Sequence, residues 1–164
     1  MDFARQVSAC IHREHLETLG LLERVEAALA KAKAAPMPGD AAWARLLREL
    51  DTNLANEIGR HFGFEEEDLF PLLASGGDRD IASLLAEEHA AILALAKRMI
   101  PALRAFLAGN ATQGWPALRE MALELVERQV AHIQKEEMSL LPVLEDMLEP
   151  EQDAEMLTRY LATA

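Results

Sequence analysis

The sequence has a single cysteine, Cys10, among its 164 residues. One cysteine cannot form a disulfide within the chain, and a chain without disulfides fits a reducing compartment. No apolar run approaches the roughly 18–20 residues that a membrane span needs. Residues 1–5, Met-Asp-Phe-Ala-Arg, are not followed by the apolar segment of a secretory signal. We therefore expect a cytoplasmic protein without a membrane partner.

Basic residues are also scarce. Lys and Arg number 16 against 28 Asp and Glu, a net charge of −12. Nucleic acids and anionic membrane surfaces are bound by clustered Lys and Arg, so the charge argues against both as partners. Hydrophobic residues make up 51%, and the chain is long enough to bury a core as one domain, residues 1–164.

Apolar residues recur every three or four positions, which predicts amphipathic helices. We expect an all-α, up-down-up-down four-helix bundle with a short extra C-terminal helix, because short loops join antiparallel neighbours. The predicted helices cover residues 3–34, 41–73, 80–108, 115–148 and 150–161. Prolines and glycines at 36–40, 75–78 and 109–114 mark the breaks between them.

Four residues in or next to the predicted helices carry local expectations. Asp40 is expected to cap the second helix, since Asp favours that position. Pro101, inside the third helix, predicts a kink. Gly59 and Gly63 weaken the second helix locally, and a close helix approach, a kink or chance would each account for them.

One pattern occurs twice, in the second and fourth predicted helices. The first copy is His61, Glu65-Glu66 and Leu69-Phe70-Pro71; the second, 71 residues later, is His132, Glu136-Glu137 and Leu140-Leu141-Pro142. Each copy also has a Glu-His pair on the preceding helix, Glu14-His15 and Glu88-His89. Each half of the chain therefore offers two histidines and a carboxylate.

The spacing within each copy brings histidine and glutamate together. Positions i and i+4 of a helix lie one turn apart on one face, so His61 and Glu65 reach one point, as do His132 and Glu136. Ionised carboxylates and imidazoles in an apolar core need strong compensation, which metal cations supply. The sequence predicts a dinuclear metal site formed by His15, His61, Glu65, His89, His132 and Glu136.

Imidazole and carboxylate without thiolate suit iron, manganese or zinc, and two histidines with one carboxylate per metal favour non-haem iron. A lone histidine on an apolar face is commonly a core residue, but four histidines in a repeated register favour a site. Glu66 and Glu137 are expected to face a neighbouring helix or water. His12 has no counterpart in the second half, where Ala86 aligns, and is expected on the helix surface.

These motifs resemble the hemerythrin-like, HHE cation-binding family, over nearly the whole chain up to about Leu148. The resemblance implies two non-haem iron ions, bridged by the two glutamates and by an oxo or hydroxo group, that bind O₂ or NO. The chain departs from the oxygen carriers, which have His-x-x-x-His on the third helix. Here Leu93 stands four residues after His89, so each iron would have two histidines.

Three functions remain open from the sequence. The first is a protein that binds, senses or detoxifies a small diatomic ligand, O₂ or NO. The second is a redox enzyme, or a protein of iron-centre repair or iron delivery. The third is a non-redox module that binds zinc. Nothing in the sequence names a protein partner or a substrate.

Overall fold

The computed structural model describes residues 3–32, 34–37, 39–109 and 114–162. Within these residues the chain forms helices and no strand, so the all-α prediction is confirmed. We number five helices: α1 Gln6–Lys31, α2 41–75, α3 Arg79–Leu107, α4 Trp115–Met147 and α5 Pro150–Ala162. Residues 110–113 of the predicted loop at 109–114, and residues 33 and 38 near the first break, lie outside the described residues.

Helix α1 is shorter at both ends than predicted. It begins at Gln6, where the carboxylate of Asp153 accepts the backbone N–H groups of Gln6 at 2.7 Å and Val7 at 2.8 Å. This cap comes from α5, and nothing local in the sequence reveals it. The helix ends at Lys31 because the next residue, Ala32, adopts an extended backbone. The other helices begin and end within two residues of their predicted bounds.

Helix α2 is not the uninterrupted helix that the repeat predicts. It consists of Ala41–Thr52, a π-helical turn at Asn53–Glu57, Ile58–Phe64, a second π turn at Glu65–Leu69, and Phe70–Ser75. In the second π turn the N–H of Phe70 bonds the carbonyl of Glu65, five residues back. Pro71 follows and has no N–H, so the regular ladder is broken at this point. The second copy lies in α4, which continues through Pro142.

The local expectations for capping, proline and glycine have different outcomes. Asp40 caps α2 as predicted, accepting the N–H of Ala42 at 3.0 Å. Pro101 lies inside α3 without ending it. A Cβ atom at Gly59 or Gly63 would meet nothing within 4 Å, so close helix approach does not explain these glycines.

The buried apolar residues form two clusters. One contains residues such as Leu22, Leu50 and Leu125; the other contains residues such as Leu85 and Leu140. Along each of the four long helices, the predicted metal ligands stand between members of one cluster and members of the other. The site therefore lies in a polar layer between two apolar layers. None of the helices in the described ranges is both long enough and apolar enough to cross a membrane.

We expect Asp153→Ala to destabilise the fold, because two backbone N–H groups of α1 lose a buried acceptor. Loss of such charge-assisted bonds costs about 2 kcal/mol, which for a chain of this size lowers the unfolding midpoint by roughly 4–8 °C. Thermal unfolding followed by circular dichroism measures this. Glu155→Ala, an exposed change on the same helix, is the control; equal midpoints for the two variants would contradict the assignment.

Candidate metal centre

All six predicted ligands lie together inside the protein. They form two groups whose ligand atoms lie within 4.8 Å of one another: His15, His61, Glu65 and Glu136, and His89, His132, Glu65 and Glu136. Every member is buried. The two groups share both glutamates and differ in their histidine pairs. We refer to the six residues as the ligand cluster.

Each helical repeat brings its own histidine and glutamate into contact. The Nε2 atom of His61 lies 3.2 Å from Oε1 of Glu65. The Nε2 atom of His132 lies 3.0 Å from Oε1 of Glu136. Both pairs are separated by four residues, as the sequence pattern requires.

The remaining two histidines reach the glutamate of the other half of the chain. The Nε2 atom of His15, on α1, lies 3.2 Å from Oε2 of Glu136 on α4. The Nε2 atom of His89, on α3, lies 3.3 Å from Oε2 of Glu65 on α2. Each carboxylate therefore faces histidines from more than one helix, which joins the two groups into one cluster.

Although these separations are short, most of the facing atoms have no hydrogen-bond partner of acceptable geometry. The buried atoms without a partner include Nε2 of His15, His89 and His132 and both carboxylate oxygens of Glu65 and Glu136. Buried polar groups are normally hydrogen-bonded, because leaving them unpaired is costly. Nitrogen and oxygen donors that converge without mutual hydrogen bonds fit a metal ion, which accepts a lone pair from each of them.

A second layer of four glutamates surrounds the ligand cluster. Each accepts the Nδ1 proton of one histidine: Glu137 from His15 at 2.7 Å, Glu14 from His61 at 2.8 Å, Glu66 from His89 at 2.9 Å and Glu88 from His132 at 3.0 Å. An ionised carboxylate only accepts hydrogen bonds, so Nδ1 of each ring carries a proton. A neutral ring then has its lone pair on Nε2, the atom that faces the cluster centre. Such outer carboxylates fix the orientation of metal-binding histidines.

These outer glutamates are the functional residues that the sequence analysis missed. Glu66 and Glu137 face neighbouring helices, as expected, but they also hold His89 and His15 there. Glu14 stands next to His15 in the sequence and yet contacts His61 on α2. The signal was present, since every ligand-bearing motif has a second Glu adjacent to a ligand. Which histidine each one contacts depends on helix packing.

The charges within the site stabilise one another. Burial by itself lowers the pKa of His15, but the carboxylates of Glu136, Glu137 and Glu65 raise it to about 9. The pKa of His89 is likewise raised to about 9, because Glu136 and Glu65 outweigh burial. Burial raises the pKa of Glu136, yet the surrounding imidazoles hold it well below its usual range. Without a metal ion, protons on His15 and His89 offset the negative charge of the buried carboxylates.

His12 lies outside the ligand cluster. Its Nδ1 atom lies 2.9 Å from Oε2 of Glu137, and its side chain is 25% exposed. Glu137 therefore contacts both His12 and the ligand-cluster residue His15. The prediction of a surface histidine is confirmed in part, since His12 is half-buried and touches the outer layer.

A small cavity of about 30 Å³ adjoins one side of the ligand cluster. Its walls include His15, His61, His132 and Glu136 of the cluster, with Gln129, Asn53 and Thr18 as further polar residues. Gln129 is 3% exposed. Its Oε1 atom has no hydrogen-bond partner within the described residues, and neither has Oδ1 of Asn53. Unpaired amide oxygens of this kind mark a place for a small polar molecule.

Helices that bury four histidines around two shared carboxylates define a metal-binding helical protein. Comparison with protein families agrees: residues 6–144 match the hemerythrin HHE cation-binding domain. The match covers most of the chain, which therefore belongs to this family and carries a cation-binding domain. Comparison with curated proteins and with solved structures gave no match.

We expect the stability of the chelator-treated protein to fall as the pH rises from 7 to 9.5. The folded-state pKa values of His15 and His89, about 9, exceed the ordinary 6.5. Their stabilising contribution is therefore complete below about pH 6.5 and is lost as the pH rises through about 9. Urea unfolding at each pH measures the change. An unfolding free energy that stays constant over this range would contradict the charge balance.

Proposed function

We propose that the six residues of the ligand cluster bind two iron ions, and that the iron centre binds a small diatomic ligand, O₂ or NO. One observation carries the proposal: the two buried groups of possible ligands share Glu65 and Glu136. A carboxylate with one oxygen toward each of two ions is a bridge. Each ion would then have two histidines and both carboxylates.

The donor set favours iron over zinc. Zinc sites that only stabilise a fold commonly use cysteine, and the single cysteine, Cys10, belongs to the apolar cluster that contains Leu85. Two histidines and carboxylates with open positions suit non-haem iron. When bound, iron would supply reversible changes of oxidation state and an open position for a ligand. The protein residues hold the ions, fix the imidazoles and exclude most of the water.

The cavity has room for a ligand of only a few atoms. Its volume is of the order of that of one or two water molecules. Phe62, Ile58 and Ile133 provide apolar walls, and Gln129 provides an amide beside the ligand cluster. We propose that a diatomic ligand occupies this cavity and that the side-chain N–H of Gln129 donates a hydrogen bond to it.

We also propose that the four long helices run alternately up and down as a bundle. In the sequence of α1 and of α3, the cluster that contains Leu85 and Leu140 precedes the metal ligands, and the cluster that contains Leu22 and Leu125 follows them. In α2 and α4 this order is reversed. Helix α4 packs against α1 and α3. Alternating order along the chain is what antiparallel neighbours require.

The number of iron ions lost on substitution should depend on whether the substituted ligand belongs to one group or to both. His61→Ala removes a ligand of one group, so we expect about one iron ion per chain to remain. Glu136→Ala removes a ligand common to both groups, so we expect fewer than one. Elemental analysis of the purified, iron-loaded variants measures the content.

His12→Ala is the matched control for these variants, because His12 is a histidine of α1 outside the ligand cluster. It should keep two iron ions per chain. Equal losses in His12→Ala and Glu136→Ala, or two ions retained in Glu136→Ala, would refute the shared-ligand arrangement.

Gln129→Leu should speed the dissociation of NO from the iron-loaded protein by about tenfold, the effect of losing one hydrogen bond of about 1.4 kcal/mol. Stopped-flow absorbance with an NO scavenger measures the rate. Ile133→Leu, a volume-conserving change in the wall of the same cavity, should alter the rate little. Unchanged rates in both variants would remove Gln129 from ligand binding.

Turnover distinguishes a binding protein from a redox enzyme. We expect the iron-loaded protein to bind O₂ or NO without sustained consumption when an electron donor is supplied. Steady consumption that is lost in His61→Ala and Glu136→Ala would instead establish an enzyme at the same site. Iron-loaded protein without any charge-transfer absorption would favour the zinc-binding function.

A further inference from the structure

The C-terminal helix brings the only tyrosine of the chain, Tyr160, against the outer layer of the site. Tyr160 is 2% exposed. The Tyr160 hydroxyl donates to Oε2 of Glu14 at 2.5 Å. The same carboxylate oxygen accepts the Nδ1 proton of His61 at 2.8 Å. A continuous hydrogen-bonded path therefore runs from α5 through Glu14 to a residue of the ligand cluster.

The surroundings hold Tyr160 in this position. Phe64 stacks on its ring with the centroids 4.3 Å apart. Arg60, on α2, places its guanidinium group 4.5 Å from the centroid of the Tyr160 ring. Its Nη2 atom donates to Oε1 of Glu14 at 3.0 Å. Both oxygens of Glu14 are thereby engaged. The pKa of Glu14 is lowered, because the bonds from His61 and Tyr160 outweigh the effect of burial.

The other half of the site is arranged differently. Glu88, which accepts the Nδ1 proton of His132, receives its second bond from Nζ of Lys135 at 2.7 Å. Lys135 is 41% exposed, whereas Tyr160, the corresponding donor to Glu14, is buried. The outer glutamates of His61 and His132 thus differ in their second donor, a buried tyrosine for Glu14 and an exposed lysine for Glu88.

We propose that Tyr160 is a positioning residue for one of the two metal ions, the ion held by His15 and His61. The inference rests on the proposed function. The hydroxyl fixes Glu14, Glu14 fixes the ring of His61, and the Nε2 lone pair of His61 is thereby held toward the ion. Helix α5 lies beyond residue 144, where the family match ends, so this support is an addition that the matched domain does not supply.

The test is an anaerobic titration of the full chain with Co²⁺, followed by visible absorbance. Changing an outer-layer partner weakens metal binding by about 10–100-fold. We expect Tyr160→Phe to weaken one of the two ions by about tenfold and to leave the other unchanged. Phe keeps the ring that stacks on Phe64 and removes only the hydroxyl.

Two backgrounds identify the affected ion. In His132→Ala the ion held by His15 and His61 remains, and adding Tyr160→Phe should weaken it about tenfold. In His61→Ala the other ion remains, and Tyr160→Phe should have no effect on it. Equal weakening in both backgrounds would overturn the proposal, because it would reveal a general loss of structure.

A double-mutant cycle separates positioning from folding. Because the hydroxyl acts through Glu14, Tyr160→Phe should cause no further loss of Co²⁺ affinity when added to Glu14→Gln. An additional tenfold loss in the double variant would contradict the path. The cycle remains a valid test of the path if Tyr160→Phe lowers the melting temperature, because each Co²⁺ affinity is measured well below that temperature.

Arg159→Ala is the matched control on α5. It removes an exposed ion pair with Asp68 at 2.7 Å and leaves Tyr160 in place, so the Co²⁺ titration should not change. An unaltered chain that binds no metal would overturn both this inference and the proposed function. An unaltered chain that binds two ions, with Tyr160→Phe indistinguishable from it, would overturn this inference alone.

Discussion

Two carboxylates without exposed surface, Glu65 and Glu136, impose the constraint on which the rest of the structure depends. An isolated ionised carboxylate in an apolar interior is strongly unfavourable, so positive charge must face it. Protonated imidazoles such as His15 and His89, whose pKa values are raised, supply that charge, or a bound cation supplies it. The imidazoles are themselves buried, and each needs a partner at its Nδ1 atom. The outer glutamates meet this second requirement. The buried carboxylates, the imidazoles and the outer glutamates therefore depend on one another.

The packing of the helices follows from the same constraint. The apolar clusters on either side of the polar layer keep the ligand cluster buried, and a low local dielectric strengthens charge interactions within it. Ring contacts add to the positioning, as Phe62 stacks on His89 with the centroids 3.6 Å apart. Helix α5 contributes Asp153, which caps α1, and Tyr160, which bonds Glu14. Thus a helix outside the matched domain contributes to both the fold and the outer layer of the site.

The helices and the six ligand-cluster residues were predictable because their signals are local. An apolar period of three to four residues and a His-Glu spacing of four can be read from the chain alone. The cap on α1 was not predictable, because its carboxylate comes from Asp153, far along the chain. The π turn at Glu65–Leu69 was missed because the second copy accommodates Pro142 in a regular helix. The partners of the outer glutamates were missed for a related reason, since adjacency to His15 does not reveal that Glu14 contacts His61.

The central claim is that the shared carboxylates bridge two iron ions. Its most direct test is metal analysis of anaerobically purified protein, paired with visible spectra recorded before and after exposure to air. The account predicts about two iron ions per chain and near-ultraviolet charge-transfer bands that appear on oxidation. Zinc as the bound metal, or no metal and no spectral change after iron loading, would contradict it.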